Sequence, residues 1–288
     1  MPSIEHEAIV ALISGGLDLE ELSIEDQRFA MEASADMFPI PSDVVSSEVD
    51  AGGVPADWVA VEGVSKPERV VLYLHGGAYV MGSRNTHRGL AGRIARAASA
   101  RVLLPDYRLA PEQPCPAAFE DAMTCWRWLV SEGHAPEHMA IAGDSAGGGL
   151  ALATLLGLKA AGEPMPACAV GLSPWTDLEG EGPSAEPGAV DDPMLTLDGL
   201  RTSGMQYAAG NLRNPFAAPL HGDLQGLPPL LLQVGSREIL LSDSTRFAEK
   251  AEAAGVKVSL EVEEGLIHVW QMFTDVPEAQ SAVDRIGA

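Results

Sequence analysis

Short apolar runs alternate with longer alanine-rich stretches over most of the chain. Each run is continuous rather than alternating, which is typical of strands buried on both faces of a parallel sheet. The stretches between the runs are long enough to form helices that cover those faces. The predicted strands are 69–75, 101–107, 138–144, 167–175, 229–236 and 257–264. The predicted helices are 87–100, 117–133, one that begins near 145, 243–255 and one near the C-terminus. The pattern therefore predicts an α/β fold with a mostly parallel central sheet flanked by helices.

Two regions depart from this alternation. Residues 1–45 contain two helical stretches, and residues 177–226 form a long insertion without a strong strand signal. The insertion follows a predicted strand end, which is where open α/β sheets bind ligands. A loop of this length without a function is uncommon. We therefore predict N-terminal cap helices (1–45) and a main α/β domain (46–288), with 177–226 as an insertion that covers the site together with those helices.

Composition and charge limit the kinds of partner. Hydrophobic residues make up 46% of the 288 residues, which is enough to build a sizeable core. The formal net charge of -23 argues against nucleic-acid binding, because nothing here could neutralise a phosphate backbone. The same charge disfavours binding to anionic membranes. These totals say nothing about the type of reaction.

The cysteines and the N-terminal residues indicate the cellular compartment of the protein. Cys115, Cys125 and Cys168 show no metal-ligand spacing, and an odd number in a chain of this size is typical of reduced thiols. Glu5 and Glu7 stand where a signal peptide would carry basic residues, and the apolar run nearby is too short for a membrane span. We therefore expect a cytoplasmic protein with no membrane span, and no metal or organic cofactor.

The stretch AIAGDSAGGG (141–150) places a serine between glycines. Ser145 follows an apolar strand and precedes a helix, and G-x-S-x-G in that setting is typical of a strained turn that exposes a nucleophile. The pattern alone also arises by chance, and the ordinary alternative is a helix-capping serine in a tight turn. The strand–turn–helix context favours the nucleophile.

A serine nucleophile needs a base, and the base needs an acid that orients it. In this sheet architecture the chain order is serine, acid, histidine. His268 lies in the loop after the last predicted strand, so it is the candidate base, with a buried core histidine as the alternative. The other histidines precede Ser145 or lie in the insertion: His6, His75, His87, His134, His138 and His221.

The acid is expected in the loop after the preceding strand, 229–236. Glu238 follows the end of that strand closely, where a loop carboxylate could reach the imidazole. Asp243 begins the next helical stretch, where a carboxylate commonly caps the N-terminus. We favour Glu238 as the acid and keep Asp243 as the alternative.

A glycine turn follows another strand, in the sequence HGGAY. Acyl transfer develops negative charge on the carbonyl oxygen, and backbone N–H groups in a flexible turn can stabilise that charge. We therefore predict an oxyanion hole formed by Gly76, Gly77 and Ala146, the residue after the nucleophile. His75 is expected to order this turn through hydrogen bonds rather than to act as a base.

Together, HGGAY, DYRLAPE (106–112) and GDSAGG resemble the motifs of the hormone-sensitive-lipase-like esterases, the bacterial family IV of α/β-hydrolases. The resemblance covers nearly the whole chain and rests on three motifs in the expected order. It implies an α/β-hydrolase fold with a helical cap, Ser145 as nucleophile and His268 as base. It also implies that the amides around the glycine turn and Ala146 form the oxyanion hole.

The chain departs from the family pattern at two places. Ala78 stands where a third glycine is usual, which narrows the allowed φ at that residue. The acid is usually an aspartate in a DPLRD-like motif, whereas this chain has EILLSD; the spacing to the histidine supports Glu238. In DYRLAPE we expect ion pairs and hydrogen bonds of a structural kind from Asp106, Arg108 and Glu112.

These features predict a serine carboxylesterase that acts on short-chain esters of small molecules, and on lactones by the same chemistry, through an acyl-enzyme. The alternatives are a serine amidase or peptidase and a non-catalytic binding protein on the same scaffold. A homodimer is expected, through an edge strand or a helix near the C-terminus. The following apolar residues are expected either to line the pocket or to pack within the cap: Met37, Phe38, Trp175, Met205, Tyr207 and Phe216.

Overall fold

A single eight-stranded sheet organises the computed structural model, which describes residues 1–16, 22–63 and 68–288. The strands are β1 (Val44–Asp50), β2 (Pro55–Val61), β3 (Val70–Leu74), β4 (Arg101–Pro105), β5 (Met139–Asp144), β6 (Cys168–Leu172), β7 (Leu230–Gly235) and β8 (Val258–Glu263). They lie in the order β1-β2-β4-β3-β5-β6-β7-β8. β2 is antiparallel to β1 and β4, and the other neighbours are parallel. The predicted α/β class with a mostly parallel sheet is confirmed.

Helices cover both faces of this sheet. They are α1 (Ile4–Ser14), α2 (Ile24–Ala33), α3 (Arg84–Ala98), α4 (Ala117–Ser131), α5 (Ser145–Ala161), α6 (Leu197–Ala208), α7 (Leu241–Ala253) and α8 (Pro277–Gly287). Side chains along β3 show the two layers, since they point alternately to opposite faces. Leu72 and Leu74 join the core formed with α4, α5 and α7, whereas Val71 and Tyr73 join the core beneath α3 and α8.

The strands β1 and β2 were not predicted. β1 is an edge strand whose residues are mostly exposed, so its sequence VVSSEVD lacks the continuous apolar run of the inner strands. β2 carries Asp57, which is 1% exposed and is therefore unexpected in a strand. Two arginines of α3 compensate its charge: Arg84 at 2.8 Å and Arg88 at 2.6 Å from the carboxylate oxygens. Such tertiary pairing cannot be read from the local pattern.

The insertion 177–226 contains α6 and two short 3₁₀ turns, Pro183–Ala185 and Pro219–His221, and no strand. Its helix α6 contacts the main domain at its end, where the Tyr207 carbonyl accepts a 2.8 Å hydrogen bond from the Cys115 amide. The division into cap and main domain stays a prediction. No helix in the described ranges has the length and apolarity needed to cross a bilayer.

The DYRLAPE segment forms the predicted ion pairs. Arg108 Nη2 lies 2.8 Å from the Asp121 carboxylate in α4, and Glu112 lies 2.7 Å from Arg28 of α2. Asp106 accepts a 2.7 Å hydrogen bond from the backbone amide of Arg84, at the start of α3. The segment therefore connects three helices to the end of β4, and its charged residues lie outside the turn at Ser145.

Candidate active site

Ser145 lies at the sharp turn between β5 and α5, as predicted. Its φ is +52°, a conformation that is strained for a residue with a side chain. The turn depends on Gly143 and Gly147 because the backbone passes too close for larger residues. A Cβ at Gly143 would lie 2.3 Å from the Gly147 carbonyl oxygen, and one at Gly147 would lie 2.1 Å from that of Leu74. The glycines on either side of Ser145 therefore set the position of its hydroxyl.

His268 and Glu238 are joined by a hydrogen bond. His268 Nδ1 donates to Glu238 Oε2 at 2.7 Å, and both side chains are buried. The other oxygen, Glu238 Oε1, accepts hydrogen bonds from the Gly235 amide at 2.5 Å and from Ser173 Oγ at 2.8 Å. A carboxylate held by three donors is fixed in place, and it fixes the ring that it contacts. Glu238 follows β7 and His268 follows β8, so parallel strands bring the two loops to one edge of the sheet.

The electrostatic surroundings raise the pKa of His268 above 6.5. Burial alone would lower it, because a low-dielectric environment disfavours the imidazolium. The hydrogen bond and charge of Glu238 outweigh burial, with smaller contributions from Asp192 and Asp144. Asp192 belongs to the insertion, and its carboxylate accepts a 2.9 Å hydrogen bond from the Ile239 amide beside Glu238. The insertion therefore reaches the His268 site.

Asp243, the alternative acid, has different partners. Its Oδ2 accepts hydrogen bonds from the backbone amides of Thr176 and Asp177, both at 2.7 Å. Burial raises the pKa of Asp243 to about 7, against the effect of these donors. Of the two candidate acids, Glu238 is therefore the one that hydrogen-bonds to His268.

Ser145 and His268 share neighbours without a direct hydrogen bond between them in the described structure. The Trp175 amide donates to the Ser145 carbonyl at 2.9 Å, and Ser173 Oγ accepts from the Val269 amide at 3.2 Å. The segment after β6 carries Ser173 and Trp175. It thus contacts both the turn at Ser145 and the loop that carries His268. Ser173 was not singled out in the sequence, where it is one of several small polar residues after an apolar run.

The glycine turn after β3 differs from the prediction at one amide. The Gly76 N–H donates to Asp144 Oδ1 at 3.1 Å and to His87 Nε2 at 3.3 Å, so it is engaged within the protein. The amides of Gly77, Ala78 and Ala146 donate to no acceptor among residues 1–16, 22–63 and 68–288. Ala78 adopts φ +53°, so alanine enters the conformation that a third glycine would favour. The free amides at this turn therefore begin at Gly77 rather than at Gly76.

His75 orders the turn as expected. Its Nδ1 lies 2.8 Å from the Gly76 carbonyl oxygen, and its ring stacks on Tyr107 at a centroid distance of 4.1 Å. Burial, with the nearby His87, lowers the pKa of His75 to about 3. The ring is therefore neutral at ordinary pH and packs as a structural group.

Asp144 and His87 form a buried pair beside this turn that the sequence reasoning missed. Asp144 Oδ2 lies 3.3 Å from His87 Nε2, and Asp144 Oδ1 accepts from Tyr73 Oη at 2.7 Å. Burial opposes the charge on Asp144, but His87 and Tyr73 outweigh it and the pKa of this carboxyl is lowered. His87 was set aside only because it precedes Ser145 in the chain. The signal available in the sequence for this pair was the carboxylate of Asp144 at the end of an apolar strand.

The predicted pocket residues divide into three groups. Trp175 and Tyr207 are fully buried, and Tyr207 stacks on Tyr79 with ring centroids 3.6 Å apart. Phe38 packs on Phe273 and Phe216 on Phe119, which is packing between side chains. The exposed members are Met37 and Met205.

Asp177, Glu179 and His221 each offer one ligand atom within 4.8 Å of the others. Arginines already compensate the two carboxylates: Arg246 lies 2.7 Å from Asp177, and Arg213 lies 2.5 Å from Glu179. A cation would have to displace these pairs. We therefore assign the cluster to ion pairing between the insertion and α7.

Known proteins resemble this chain over its whole length. A family model described as alpha/beta hydrolase fold matches residues 71–272. An acetyl-hydrolase of Streptomyces hygroscopicus is 40% identical over 294 residues, which cover 100% of this chain and 96% of that protein. An esterase of Acinetobacter venetianus is 37% identical over 253 residues, or 87% of this chain and 83% of that protein.

Solved structures agree with these matches. An esterase from the bacterial hormone-sensitive lipase family superimposes with a TM-score of 0.94 at 42% identity, over 100% of this chain and 97% of that one. The structure of EstE5 soaked with p-nitrophenyl butyrate gives a TM-score of 0.94 at 41% identity, over 99% of this chain and 97% of that one.

The titration of His268 tests the electrostatics of this site. We expect a pKa above 6.5 in the intact protein and a lower pKa in Glu238→Gln, because burial is then opposed only by the smaller contributions of Asp192 and Asp144. The histidine ring signals in NMR spectra, followed against pH, measure both values. His75, with a pKa of about 3, serves as the internal control that does not titrate near neutrality. A His268 pKa that is the same in both proteins would contradict this assignment.

Proposed function

The chain belongs to the alpha/beta hydrolase family, in its hormone-sensitive-lipase branch, and from that premise we propose that it is a serine carboxylesterase. One observation carries the proposal: the buried 2.7 Å hydrogen bond between Glu238 and His268, at the same sheet edge as the Ser145 turn. A non-catalytic scaffold has no need to keep an imidazole and a carboxylate paired in this way. The named relatives, an acetyl-hydrolase and an esterase, support ester hydrolysis.

The first half of the proposed reaction is acylation of Ser145. Its Oγ attacks the ester carbonyl carbon while His268 Nε2 accepts the hydroxyl proton. Glu238 accepts the Nδ1–H, which holds the ring in the tautomer that leaves Nε2 unprotonated, and its charge stabilises the imidazolium that forms. The raised pKa of His268 makes it a stronger base. His268 then returns the proton to the departing alcohol.

The oxyanion of the tetrahedral intermediate needs donors aimed at it. We assign this role to the amides of Gly77, Ala78 and Ala146, in place of the predicted set that included Gly76. The Gly76 amide is held by Asp144, whereas the other three have no protein acceptor in the part of the chain that the structure describes. Two donors then come from the turn after β3 and one from the start of α5.

The second half of the reaction is hydrolysis of the acyl-enzyme. Water gives a proton to His268 as it attacks the ester carbonyl on Ser145, and the same amides stabilise the second oxyanion. The carboxylic acid leaves when Ser145 regains its proton from His268. Each step uses side chains and amides of this chain alone, and a lactone would react by the same sequence.

We infer a preference for short acyl chains from the aromatic side chains near the nucleophile. Tyr79, Trp175 and Tyr207 form an aromatic cluster in which all three side chains are buried. Tyr79 follows the oxyanion turn directly, and the Trp175 amide contacts the Ser145 carbonyl. The cluster therefore fills space next to both halves of the site, which favours a small acyl compartment.

Hydrolysis of p-nitrophenyl esters from acetate to laurate tests the proposed function. We expect activity that falls with chain length, loss of about 10⁴- to 10⁶-fold in kcat/KM for Ser145→Ala and loss of about 10²- to 10⁴-fold for Glu238→Gln. Asp243→Asn is the matched control for the acid and should remain within about threefold of wild type, since it keeps an acceptor for its backbone donors. Wild-type protein without activity on any ester would refute the proposal. If kcat/KM falls in Asp243→Asn and not in Glu238→Gln, the acid is Asp243 rather than Glu238.

The aromatic cluster gives a second expectation. Tyr207→Ala removes the ring that stacks on Tyr79, so the ratio of kcat/KM for octanoate to that for acetate should rise by about tenfold. Phe216→Ala is the control, because Phe216 stacks on Phe119 outside the cluster. The ratio does not depend on the fraction of folded enzyme. An unchanged ratio in Tyr207→Ala, or an equal change in both variants, would show that the cluster does not limit chain length.

A further inference from the structure

The carboxylate of Asp144 connects the two backbone segments that supply the oxyanion amides. Asp144 directly precedes Ser145 in the turn from β5, and it is 2% exposed. Its Oδ1 accepts from the Gly76 amide at 3.1 Å, in the turn from β3. Gly76 directly precedes Gly77 and Ala78, and Ser145 directly precedes Ala146. One side chain therefore fixes the distance between the two segments.

His87 holds this carboxylate from the opposite side. The imidazole is 1% exposed, and its Nε2 lies 3.3 Å from Asp144 Oδ2 and accepts a 3.3 Å hydrogen bond from the Gly76 amide. Its Nδ1 lies 2.7 Å from Thr86 Oγ1, a residue of the capping box at the start of α3. Because both ring nitrogens have partners, the ring cannot turn without losing one of them. The orientation of Asp144 thus depends on where α3 begins.

Tyr73 completes the set of donors. Its hydroxyl donates to Asp144 Oδ1 at 2.7 Å from within β3, where the ring is fully buried. Asp144 Oδ1 therefore accepts one hydrogen bond from β3 and one from the Gly76 turn, while the His87 imidazole of α3 contacts both Asp144 Oδ2 and the Gly76 amide. A buried carboxylate that loses one donor shifts toward those that remain, and Gly76 would shift with it.

We propose that His87 is a positioning residue for ester hydrolysis: it holds the Asp144 carboxylate so that Gly76 and the nucleophile turn keep the spacing that the oxyanion amides require. This inference rests on the proposed function and adds a residue outside the Ser145, His268 and Glu238 set. His87 contacts the Asp144 carboxylate and the Gly76 amide, and it touches no reacting atom. Its loss should therefore weaken binding of the transition state more than binding of the ester.

Three variants test the proposal against p-nitrophenyl acetate. His87→Leu removes the imidazole contacts with Asp144 and Gly76, and kcat should fall by about tenfold or more with KM within about threefold. His87→Gln places an amide N–H in reach of Asp144 Oδ2 and should recover most of that loss. Tyr73→Phe removes a different donor to the same carboxylate without changing the volume of the core, and kcat should fall by about two- to fivefold. All rates are referred to active sites counted by titration.

A trifluoromethyl ketone separates positioning from plain destabilisation, because its adduct with a serine carries the oxyanion. Its inhibition constant should rise in His87→Leu by about the same factor as kcat/KM falls. The control is Thr154→Val, which removes the buried 2.7 Å hydrogen bond from Thr154 Oγ1 to the Leu150 carbonyl in α5. It should lower the melting temperature and leave kcat unchanged.

The outcomes are distinct. Wild type without esterase activity refutes the proposed function itself. An active wild type, with His87→Leu and Tyr73→Phe at the wild-type kcat, overturns the role of His87. If His87→Leu does not fold, Tyr73→Phe decides, and an unchanged inhibition constant in that variant overturns the proposal. A fall in kcat in Thr154→Val as large as that in His87→Leu would also overturn it.

Discussion

The close approach of β3 to the turn that ends β5 is the constraint on which the site depends. At Gly147 even a single carbon atom would lie 2.1 Å from the Leu74 carbonyl oxygen and 2.3 Å from that of His75. The first turn of α5 therefore presses directly against the end of β3. That contact places the Ser145 hydroxyl and the Ala146 amide beside the turn that carries Gly77 and Ala78. A residue with a side chain at Gly147 would separate the two halves of the proposed oxyanion hole.

Three buried carboxylates, Glu238, Asp144 and Asp243, have different hydrogen-bond partners, which give them different roles. Glu238 accepts hydrogen bonds from an imidazole and from two further donors, so it orients His268. Asp144 meets a tyrosine, an amide and an imidazole, so it links backbone segments. Asp243 meets two backbone amides after β6, so it fixes the start of the insertion. Hydrogen-bond donors stabilise each buried carboxylate, and the identity of those donors decides its role.

The parallel sheet and the nucleophile turn were predictable because both depend on local pattern. Continuous apolar runs mark strands buried on two faces. The order serine, acid, histidine selects His268 once the strands are placed, but it leaves both Glu238 and Asp243 as candidate acids. β1 and β2 were missed because an edge strand is exposed and because Asp57 is buried through arginines of a distant helix. Which amide of HGGAY is free could not be predicted, since it depends on Asp144, 68 residues away in the chain. The sequence also could not show which of the expected pocket residues pack against other side chains, because that depends on tertiary contacts of the predicted cap.

Covalent catalysis by Ser145 is the central claim, and rapid acid quenching tests it most directly. Protein mixed with p-nitrophenyl acetate is quenched during turnover, digested and examined by mass spectrometry. We predict an acetyl group on the peptide that contains Ser145, at a level that reaches a steady state within the first turnovers and is absent in Ser145→Ala. Turnover at the wild-type rate with no acetylated peptide, or with the acetyl group on another residue, would contradict the acyl-enzyme mechanism.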